Sequence, residues 1–382
     1  MEEREERQET RKPKRKRLGK VKAVILLILA IVLAVTLIAN RDRLTLSHLT
    51  RAIQYSGLGS DRLAEEFRFP NVGSNTFATL GDGLALASSG GLRVYDRTAS
   101  LVYMENVQMD NPVIQTAGDF VLAYDLGGFS LRSGNRREAL AYRDNLEGRI
   151  IDARINANGW VTLSTERVGT LGEVTVIDPQ GNGRYRVGIN SGHVIAALLG
   201  EDNRTLIVLT MADTGGRVLW FDIHVEGQSV ETHQYLREGE LFFDIWVTSR
   251  DGGIGLISNN MVLYLSPRGA VEHEYHFRER HLRAYNIADG RIALYFEAGI
   301  DGEIILLQAN GSEQRIQVGG NLIDISQSGR YVAALFPDEL LIFRGTSRYA
   351  RFRETEGMTR ILMRTDGTVF RLSSQRAILL VP

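Results

Sequence analysis

A turn signal recurs along most of this chain and restricts its possible folds more than any other feature. A residue pair such as Asp-Gly follows one short apolar run and opens the next, at steps of about 36 to 49 residues. The apolar runs have four to seven residues and show no sustained helical period. This texture is typical of short β-strands, and the period is that of four-stranded propeller blades. The pairs are Asp82-Gly83, Gly118-Asp119, Asn158-Gly159, Asp202-Asn203, Asp251-Gly252, Asp289-Gly290, Ser328-Gly329 and Asp366-Gly367.

Each repeat divides into strands in a similar way. In the fifth repeat, Phe243–Val247 is the predicted inner strand, and Gly255–Ser258, Met261–Leu265 and Val271–Phe277 follow it. Ser266-Pro-Arg-Gly269 has the residues of a type I turn before the outer strand. The eight predicted inner strands are Thr76–Leu80, Val113–Ala117, Ile150–Ile155, Val194–Leu199, Phe243–Val247, Ala284–Ala288, Leu322–Ser326 and Thr359–Met363.

The last repeat predicts how the ring closes. After its inner strand it has only Thr368–Leu372 and Ala377–Val381, and it lacks an outer strand. Glu66–Val72 precedes the first inner strand and has no blade of its own. We expect this segment to complete the last blade, because such closure removes exposed sheet edges. The predicted fold is an all-β propeller of eight four-stranded blades, with seven as the alternative if one repeat is wrongly divided.

An uncharged apolar segment, Ala23–Ala39, predicts one transmembrane helix before the propeller. Seventeen residues at about 1.5 Å each cover roughly 25 Å, the short end of a bilayer span. The first 22 residues carry ten basic and five acidic side chains, whereas only Arg41, Arg43 and Arg51 closely follow the span. The positive-inside rule therefore places the N-terminus in the cytoplasm and the bulk of the chain outside. A cleaved signal peptide is the alternative, although no good cleavage site follows.

These features predict four regions. They are a basic cytoplasmic tail (1–22), a transmembrane helix (23–39), a juxtamembrane helix or stalk (40–63) and an extracytoplasmic propeller (64–382). Ser47 can cap a short helix that runs to Tyr55, and Gly57 ends it. The predicted location is the cell membrane, with a single pass, and a domain without disulfides fits the surface of a Gram-positive bacterium or a periplasm.

The composition excludes several kinds of chemistry. The chain of 382 residues has no cysteine, which rules out disulfides, thiolate metal sites and cysteine nucleophiles. No lysine follows Lys22, which rules out lysine Schiff bases and a Walker lysine in the outer domain. The whole chain has a formal net charge of −1, and its first 22 residues carry +5, so the remainder carries −6. A mildly acidic exterior argues against a nucleic-acid partner.

The densest histidine group is His273, His276 and His281, beside Glu272 and Glu274. A metal site is one interpretation. However, His273 and His276 are three residues apart, so on a strand they point to opposite faces, and an exposed outer strand with its loop is the preferred interpretation.

Two acidic pairs, Glu297 with Asp301 and Asp338 with Glu339, lie in predicted loops between second and third strands. Glycoside hydrolysis needs two convergent carboxylates, but these resemble ordinary turn residues. No nucleophile elbow supports Ser-His-Asp catalysis. The sequence therefore predicts no catalytic, cofactor-binding or metal-binding residue and no cofactor.

Two further patterns have structural interpretations. Arg364–Phe370 faintly resembles the Asp-box of sialidase-like propellers, but a single weak copy favours a plain β-turn. Trp160, Trp220 and Trp246 are predicted to lie in the blade cores, because three tryptophans are too few for the docking set of quinoprotein propellers.

The whole layout resembles a family of uncharacterised single-pass proteins from Firmicutes, known as a domain of unknown function. The shared features are a basic N-terminus, one anchor, a short juxtamembrane helix that begins with serine (here Ser47–Tyr55) and a propeller-like outer domain. The likeness covers nearly the full length and rests on architecture. It implies no catalytic residues.

The first functional hypothesis is a non-enzymatic binding or scaffold module with a protein or glycan partner in the cell envelope. The alternatives are a propeller enzyme (a glycosidase, a lyase or a quinone-dependent oxidoreductase) and a sensor that relays external binding. The bilayer is a predicted partner through 23–39, and the oligomeric state stays open. The predicted binding face consists of loops 145–149, 164–172, 211–216, 237–240 and 354–358.

Overall fold

The computed structural model describes residues 63–69, 74–225, 228–248, 252–353 and 355–382. They form 32 β-strands in eight sheets of four strands each. The predicted all-β fold with eight blades is confirmed, and the seven-blade alternative is wrong. Within the described ranges, no helix is long and apolar enough to span a membrane. The predicted tail, the span Ala23–Ala39 and the stalk up to residue 62 lie outside the described residues.

Each of the first seven blades is a meander of four consecutive antiparallel strands. Blades 1 and 2 contain β2 (Thr76–Leu80), β3 (Gly83–Ser88), β4 (Gly91–Tyr95), β5 (Leu101–Asn106), β6 (Pro112–Ala117), β7 (Phe120–Asp125), β8 (Leu131–Asn135) and β9 (Ala139–Arg143). Blades 3 and 4 contain β10 (Ile150–Ile155), β11 (Val161–Thr165), β12 (Glu173–Ile177), β13 (Gly183–Gly188), β14 (His193–Leu199), β15 (Thr205–Ala212), β16 (Gly215–Val225) and β17 (Gln228–Glu238).

The remaining blades follow the same order. Blades 5 and 6 contain β18 (Phe242–Val247), β19 (Ile254–Ser258), β20 (Met261–Leu265), β21 (Val271–His276), β22 (Leu282–Ala288), β23 (Arg291–Ala298), β24 (Asp301–Leu307) and β25 (Glu313–Gly319). Blades 7 and 8 contain β26 (Asp324–Ser328), β27 (Tyr331–Leu335), β28 (Leu340–Arg344), β29 (Ser347–Phe352), β30 (Arg360–Met363), β31 (Val369–Leu372), β32 (Arg376–Leu380) and β1 (Leu63–Arg68).

The ring closes between the first and last strands of the propeller, as predicted, but the closing strand is Leu63–Arg68 rather than Glu66–Val72, and residues 70–73 lie outside the described ranges. Strand β1 pairs antiparallel with β32, with Glu66 opposite Ile378. Phe67 is fully buried there, and its ring meets that of Phe370 edge to face at 5.3 Å. It also meets Tyr95 of blade 1 at 6.2 Å. The N-terminal strand therefore completes blade 8 and helps to join it to blade 1.

The core lies between neighbouring blades, because each sheet is covered on both faces. The second and third strands are accordingly buried at nearly every position, as in β3 and β20. Trp220 of blade 4 packs against blade 5, and Trp246 of blade 5 packs against blade 6. Both tryptophans are buried, as predicted, while Trp160 is partly buried against the core shared by blades 3 and 4.

One predicted inner strand is displaced. The sequence pattern predicts Leu322–Ser326 in blade 7, but the strand is β26 (Asp324–Ser328). The chain is still turning at Asn321, whose φ is +62°, and the side chain of Ile323 is exposed. Leu322 and Ile323 lie at the end of a loop, although their apolar side chains are typical of the start of a strand.

The propeller has two faces that the rest of the description uses. The upper face carries the loops from second to third strands and from each blade to the next. The lower face carries the turns from first to second and from third to fourth strands. In the described residues, the predicted turn pairs lie between the first and second strands of the blades, on the lower face. Asp251 of the fifth pair lies outside the described ranges. Gly269 closes the predicted turn by donating its N–H to the carbonyl of Ser266 at 2.9 Å.

Candidate functional site

The five loops predicted to form a binding face all belong to the upper face. Loops of the two upper types are hydrogen-bonded to each other. Gly216 donates its N–H to the carbonyl of Glu240 at 2.6 Å, and Gly239 donates to Thr214 at 2.9 Å. Thr355 donates its hydroxyl to the carbonyl of Pro337 at 2.7 Å. The loops of the upper face are therefore held together by hydrogen bonds. Glu354, in the last predicted loop, lies outside the described residues.

Just over half of the exposed large apolar side chains in the described residues lie on this face. Among the described residues, sixteen large hydrophobic side chains are exposed, and nine of them lie on upper loops or at strand ends beside them. Val168 is fully exposed, and Ile300 is 88% exposed. We call the following nine residues the apolar crown: Leu126, Phe129, Val168, Leu171, Met211, Leu241, Phe243, Ile300 and Ile323.

The inner strands of blades 3 to 6 share a bulge near the upper face. The register shifts across one inserted residue in each of these strands, which is the second residue of the strand in blades 3, 5 and 6 and the third in blade 4. The inserted residues are Ile151, Ile195, Phe243 and Arg283. Bulges redirect side chains and are common near functional sites. In blade 5 the bulge exposes the ring of Phe243, which lies 5.7 Å from the ring of Tyr285 in blade 6.

Charged side chains meet inside the ring just below these bulges. Arg154 of blade 3 donates Nε to Asp152 at 2.8 Å and Nη2 to Asp244 of blade 5 at 2.9 Å. Tyr285 donates its hydroxyl to Asp244 at 3.1 Å, and Tyr124 donates to Asp152 at 3.2 Å. We call Asp152, Arg154 and Asp244 the ionic bridge. The ionic bridge joins blades 3 and 5 and so passes the inner strand of blade 4. In that strand the small Ala196 occupies the position equivalent to Asp152 and Asp244.

Burial governs the electrostatics of the ionic bridge. It raises the pKa of the Asp152 carboxyl above its ordinary value, against the opposing effect of Arg154. Burial alone would lower the pKa of the Arg154 guanidinium, but the two aspartates raise it. Burial also raises the pKa of the phenols of Tyr124 and Tyr285. The arginine therefore stays charged and committed to its two carboxylates.

The sequence interpretation did not identify the ionic bridge. A signal was present, since Asp152, Arg154 and Asp244 are charged residues inside predicted inner strands. Such residues are rarely buried without partners. The sequence could not show which of them meet, because blades 3 and 5 are brought together only by the closed ring.

A central cavity of about 770 Å³ lies below the ionic bridge. Arg154, Asp244 and Tyr285 contribute to its wall, together with the inner strands of blades 1, 2, 6, 7 and 8. The wall continues to Gly81 and Asp289 at the lower turns. The cavity therefore belongs to the lower half of the central channel.

One carboxylate of each predicted acidic pair is engaged in a structural contact. Glu297 lies 3.0 Å from Nε of Arg283 and accepts the N–H of Asn321 at 2.6 Å. Glu339 pairs with Arg351 of its own blade. Asp301 and Asp338 are exposed. In neither pair do both carboxylates have the free, convergent arrangement that acid–base catalysis requires.

The histidine group is dispersed. The ring of His273 stacks on Tyr264 at 6.4 Å between centroids, whereas Nε2 of His276 lies 3.1 Å from Glu274. Glu274 also accepts hydrogen bonds from Nη1 and Nη2 of Arg237, at 2.9 and 3.1 Å. His281 is exposed on an upper loop. Across the described residues, no three His, Asp or Glu side chains are grouped to hold a metal ion.

The segment that resembled an Asp-box forms a turn. Gly367 donates its N–H to the carbonyl of Arg364, and Asp366 accepts the N–H of Thr368, both at 3.0 Å. The Arg364 guanidinium lies 5.9 Å from the ring of Phe370. These contacts account for the local residue pattern.

Similar folds occur among solved structures. The chain is similar to a structure described as the eukaryotic initiation factor, with a TM-score of 0.51 and 14% identity over 76% of this chain and 80% of that one. It is also similar to the C-terminal WD40 domain of Sif2, with a TM-score of 0.50 and 12% identity over 84% of this chain and 89% of that one. At such identity the likeness shows the propeller fold alone.

No protein with a curated description matches this sequence. A model of a family of unknown function, DUF5711, matches residues 59–313. This range covers more than half of the chain and includes most of the propeller. The chain therefore belongs to the DUF5711 family.

Proposed function

We propose that this protein is a non-enzymatic docking module, anchored in the cell membrane by Ala23–Ala39, whose propeller lies outside the cytoplasm and binds a protein of the cell envelope. The apolar crown on the upper face carries the proposal. Exposed apolar patches on soluble domains mark interaction sites, and loops held by a rigid scaffold are common binding surfaces.

The side chains of the crown favour a protein over other partners. Leucine, valine, isoleucine and phenylalanine offer no hydrogen bonds to a glycan, but they can be buried against complementary apolar groups. The cross-bonded loops also lower the entropic cost of ordering such a surface on binding. The net negative charge of the chain beyond its tail disfavours nucleic acid.

Photo-crosslinking in intact membranes can test the docking face. A photoreactive amino acid at Val168 is compared with one at Val271, an exposed valine on the outer edge of blade 5. We expect a discrete protein adduct from position 168 and none from position 271. Val168→Asp together with Ile300→Asp should abolish recovery of this partner while the melting temperature stays unchanged. Equal adducts from both positions would contradict the proposed face.

The absence of cysteine provides a clean test of the proposed location. Single cysteines at Glu6 and Val168 are treated in intact cells with a membrane-impermeant maleimide. Position 168 should be labelled at once, and position 6 only after lysis. Labelling of position 6 in intact cells would contradict the orientation, and protection of both positions until lysis would contradict an extracytoplasmic propeller.

A further inference from the structure

The wall of the central cavity divides into two parts with different hydrogen bonding. In blades 6 and 7, Asn286 and Gln327 hold each other in place. Oδ1 of Asn286 accepts the N–H of Gln327 at 2.8 Å, and Nε2 of Gln327 donates to the carbonyls of Asn286 and Arg291 at 2.9 and 2.8 Å. The two amides are held rigidly by these bonds. Nδ2 of Asn286 can still donate a hydrogen bond to a ligand, and Oε1 of Gln327 can still accept one.

The facing part of the wall has polar side chains without partners. Thr79 of blade 1, Gln115 and Thr116 of blade 2, and Thr365 of blade 8 line the cavity. Within the described residues, none of these four side chains makes a hydrogen bond. Each hydroxyl can donate and accept, and the amide of Gln115 can do both. Three adjacent blades therefore present unused donors and acceptors to the same space.

The charged groups of the wall are already paired. Arg154 is paired through Nε with Asp152 and through Nη2 with Asp244, so two carboxyl groups lie beside its positive charge. Asp289 accepts the N–H of Gly329, and Arg364 is largely buried beside Asp366. An anionic ligand would meet only arginines that already lie beside carboxyl groups, and it would be repelled by the exposed carboxylate of Asp289. The wall therefore disfavours an anionic ligand, and its neutral hydroxyl and amide groups match an uncharged one.

Aromatic side chains complete the wall. Phe77, Trp246 and Tyr285 line the cavity from blades 1, 5 and 6. Aromatic rings can cover the apolar C–H face of a ligand whose edge carries hydroxyl groups. A volume of about 770 Å³ is within the usual range for small-molecule sites.

We propose that the central cavity is a binding site for an uncharged saccharide. Sugar hydroxyls match the unused donors and acceptors of Thr79, Gln115, Thr116, Asn286 and Gln327, and the sugar ring matches the aromatic wall. The site lies in the lower half of the channel and is independent of the apolar crown.

The test is binding of defined probes to the full-length chain in a detergent without a sugar headgroup. Glucose, N-acetylglucosamine and their short oligomers are compared with glucose 6-phosphate by saturation-transfer NMR and calorimetry. We expect millimolar or tighter binding of at least one neutral probe and weaker binding of glucose 6-phosphate. Absence of binding by every neutral probe, or preference for glucose 6-phosphate, would overturn the proposal.

Two variants locate the site. Gln115→Leu removes the donor and acceptor that Gln115 would offer to the sugar hydroxyls, and its effect should be a loss of affinity of about tenfold. Gln234→Leu, at an exposed position on outer strand β17, is the matched control and should bind like the wild type. Thr365→Trp fills the exposed mouth without altering the inner strands and should also abolish binding. If both cavity variants fold and bind normally, the saccharide site is not in this cavity.

Discussion

Arg154 and Asp244 are joined at 2.9 Å although they come from blades 3 and 5, with blade 4 between them along the chain. The contact ties together two blades that are not neighbours in the ring. Asp152 holds the same guanidinium from within blade 3. The ionic bridge therefore contributes to the ring as a whole rather than to one blade interface.

Arg154→Met should destabilise the propeller strongly. It leaves Asp152 and Asp244 without their cation in a site where they are only 10% and 16% exposed. Loss of one partner of a buried pair costs about 3 to 5 kcal/mol. Arg68→Met, which breaks an exposed pair with Glu66, should cost less than about 1 kcal/mol. Urea unfolding of both variants measures the difference, and equal small losses would show that the bridge is not important for stability.

Asp324 should make the stability depend on pH. Burial raises the pKa of its carboxyl to about 6, while a hydrogen bond from the N–H of Ile361 opposes the shift. The folded chain thus holds this proton more tightly than the unfolded chain, so the contribution is full below about pH 4 and is lost as the pH rises through 6. Asp324→Asn should remove a change of up to about 3 kcal/mol.

The control for this titration is Asp96→Asn. Hydrogen bonds from Thr98 lower the pKa of the partly exposed Asp96 carboxyl, so its contribution has the opposite sign and is lost as the pH falls. The free energy of unfolding is plotted against pH from 4 to 8. The fall in this free energy as the pH rises through 6 should disappear only in Asp324→Asn. An unchanged pH profile in that variant would refute the assignment.

Gly255 is required by the packing of Trp246. A Cβ at Gly255 would lie 2.2 Å from Cζ2 of that ring. Gly255→Ala should therefore displace the indole and cost about 1 to 3 kcal/mol. Gly319→Ala is the matched control, since a Cβ added there would meet no atom within 4 Å, and should change stability by less than about 0.5 kcal/mol. Thermal unfolding and tryptophan fluorescence report the two effects.

Substitution of Phe67 should lower the stability of the fold, whereas substitution of Phe129 should weaken docking alone. Phe67→Ala removes a buried ring from the closing strand and should cost about 3 to 5 kcal/mol. Phe129→Ala removes an exposed ring of the apolar crown, and it should leave unfolding nearly unchanged while it reduces recovery of the crosslinked partner. A loss of stability in both variants would place Phe129 in the core rather than at an interface.

Much of the fold could be predicted because strand and turn signals are local. The Asp-Gly pairs mark hairpins wherever they occur, and their period gives the blade number. The closing role of the segment around Phe67 also followed from a simple count of strands. The displaced start of β26 shows the limit, since Leu322 and Ile323 have the composition of a strand while the backbone at Asn321 is still turning.

The sequence by itself determined the all-β class, the eight repeats, the closure by the N-terminal strand and the loops of the upper face. Each of these depends on residues close together in the chain or on simple periodicity. Only the tertiary structure decided that Arg154 meets Asp244, that Thr79 and Gln115 share a cavity with Asn286, and that the apolar crown collects on one face. These groupings depend on the angle and register of blades around the ring, which arise from packing between residues distant in sequence.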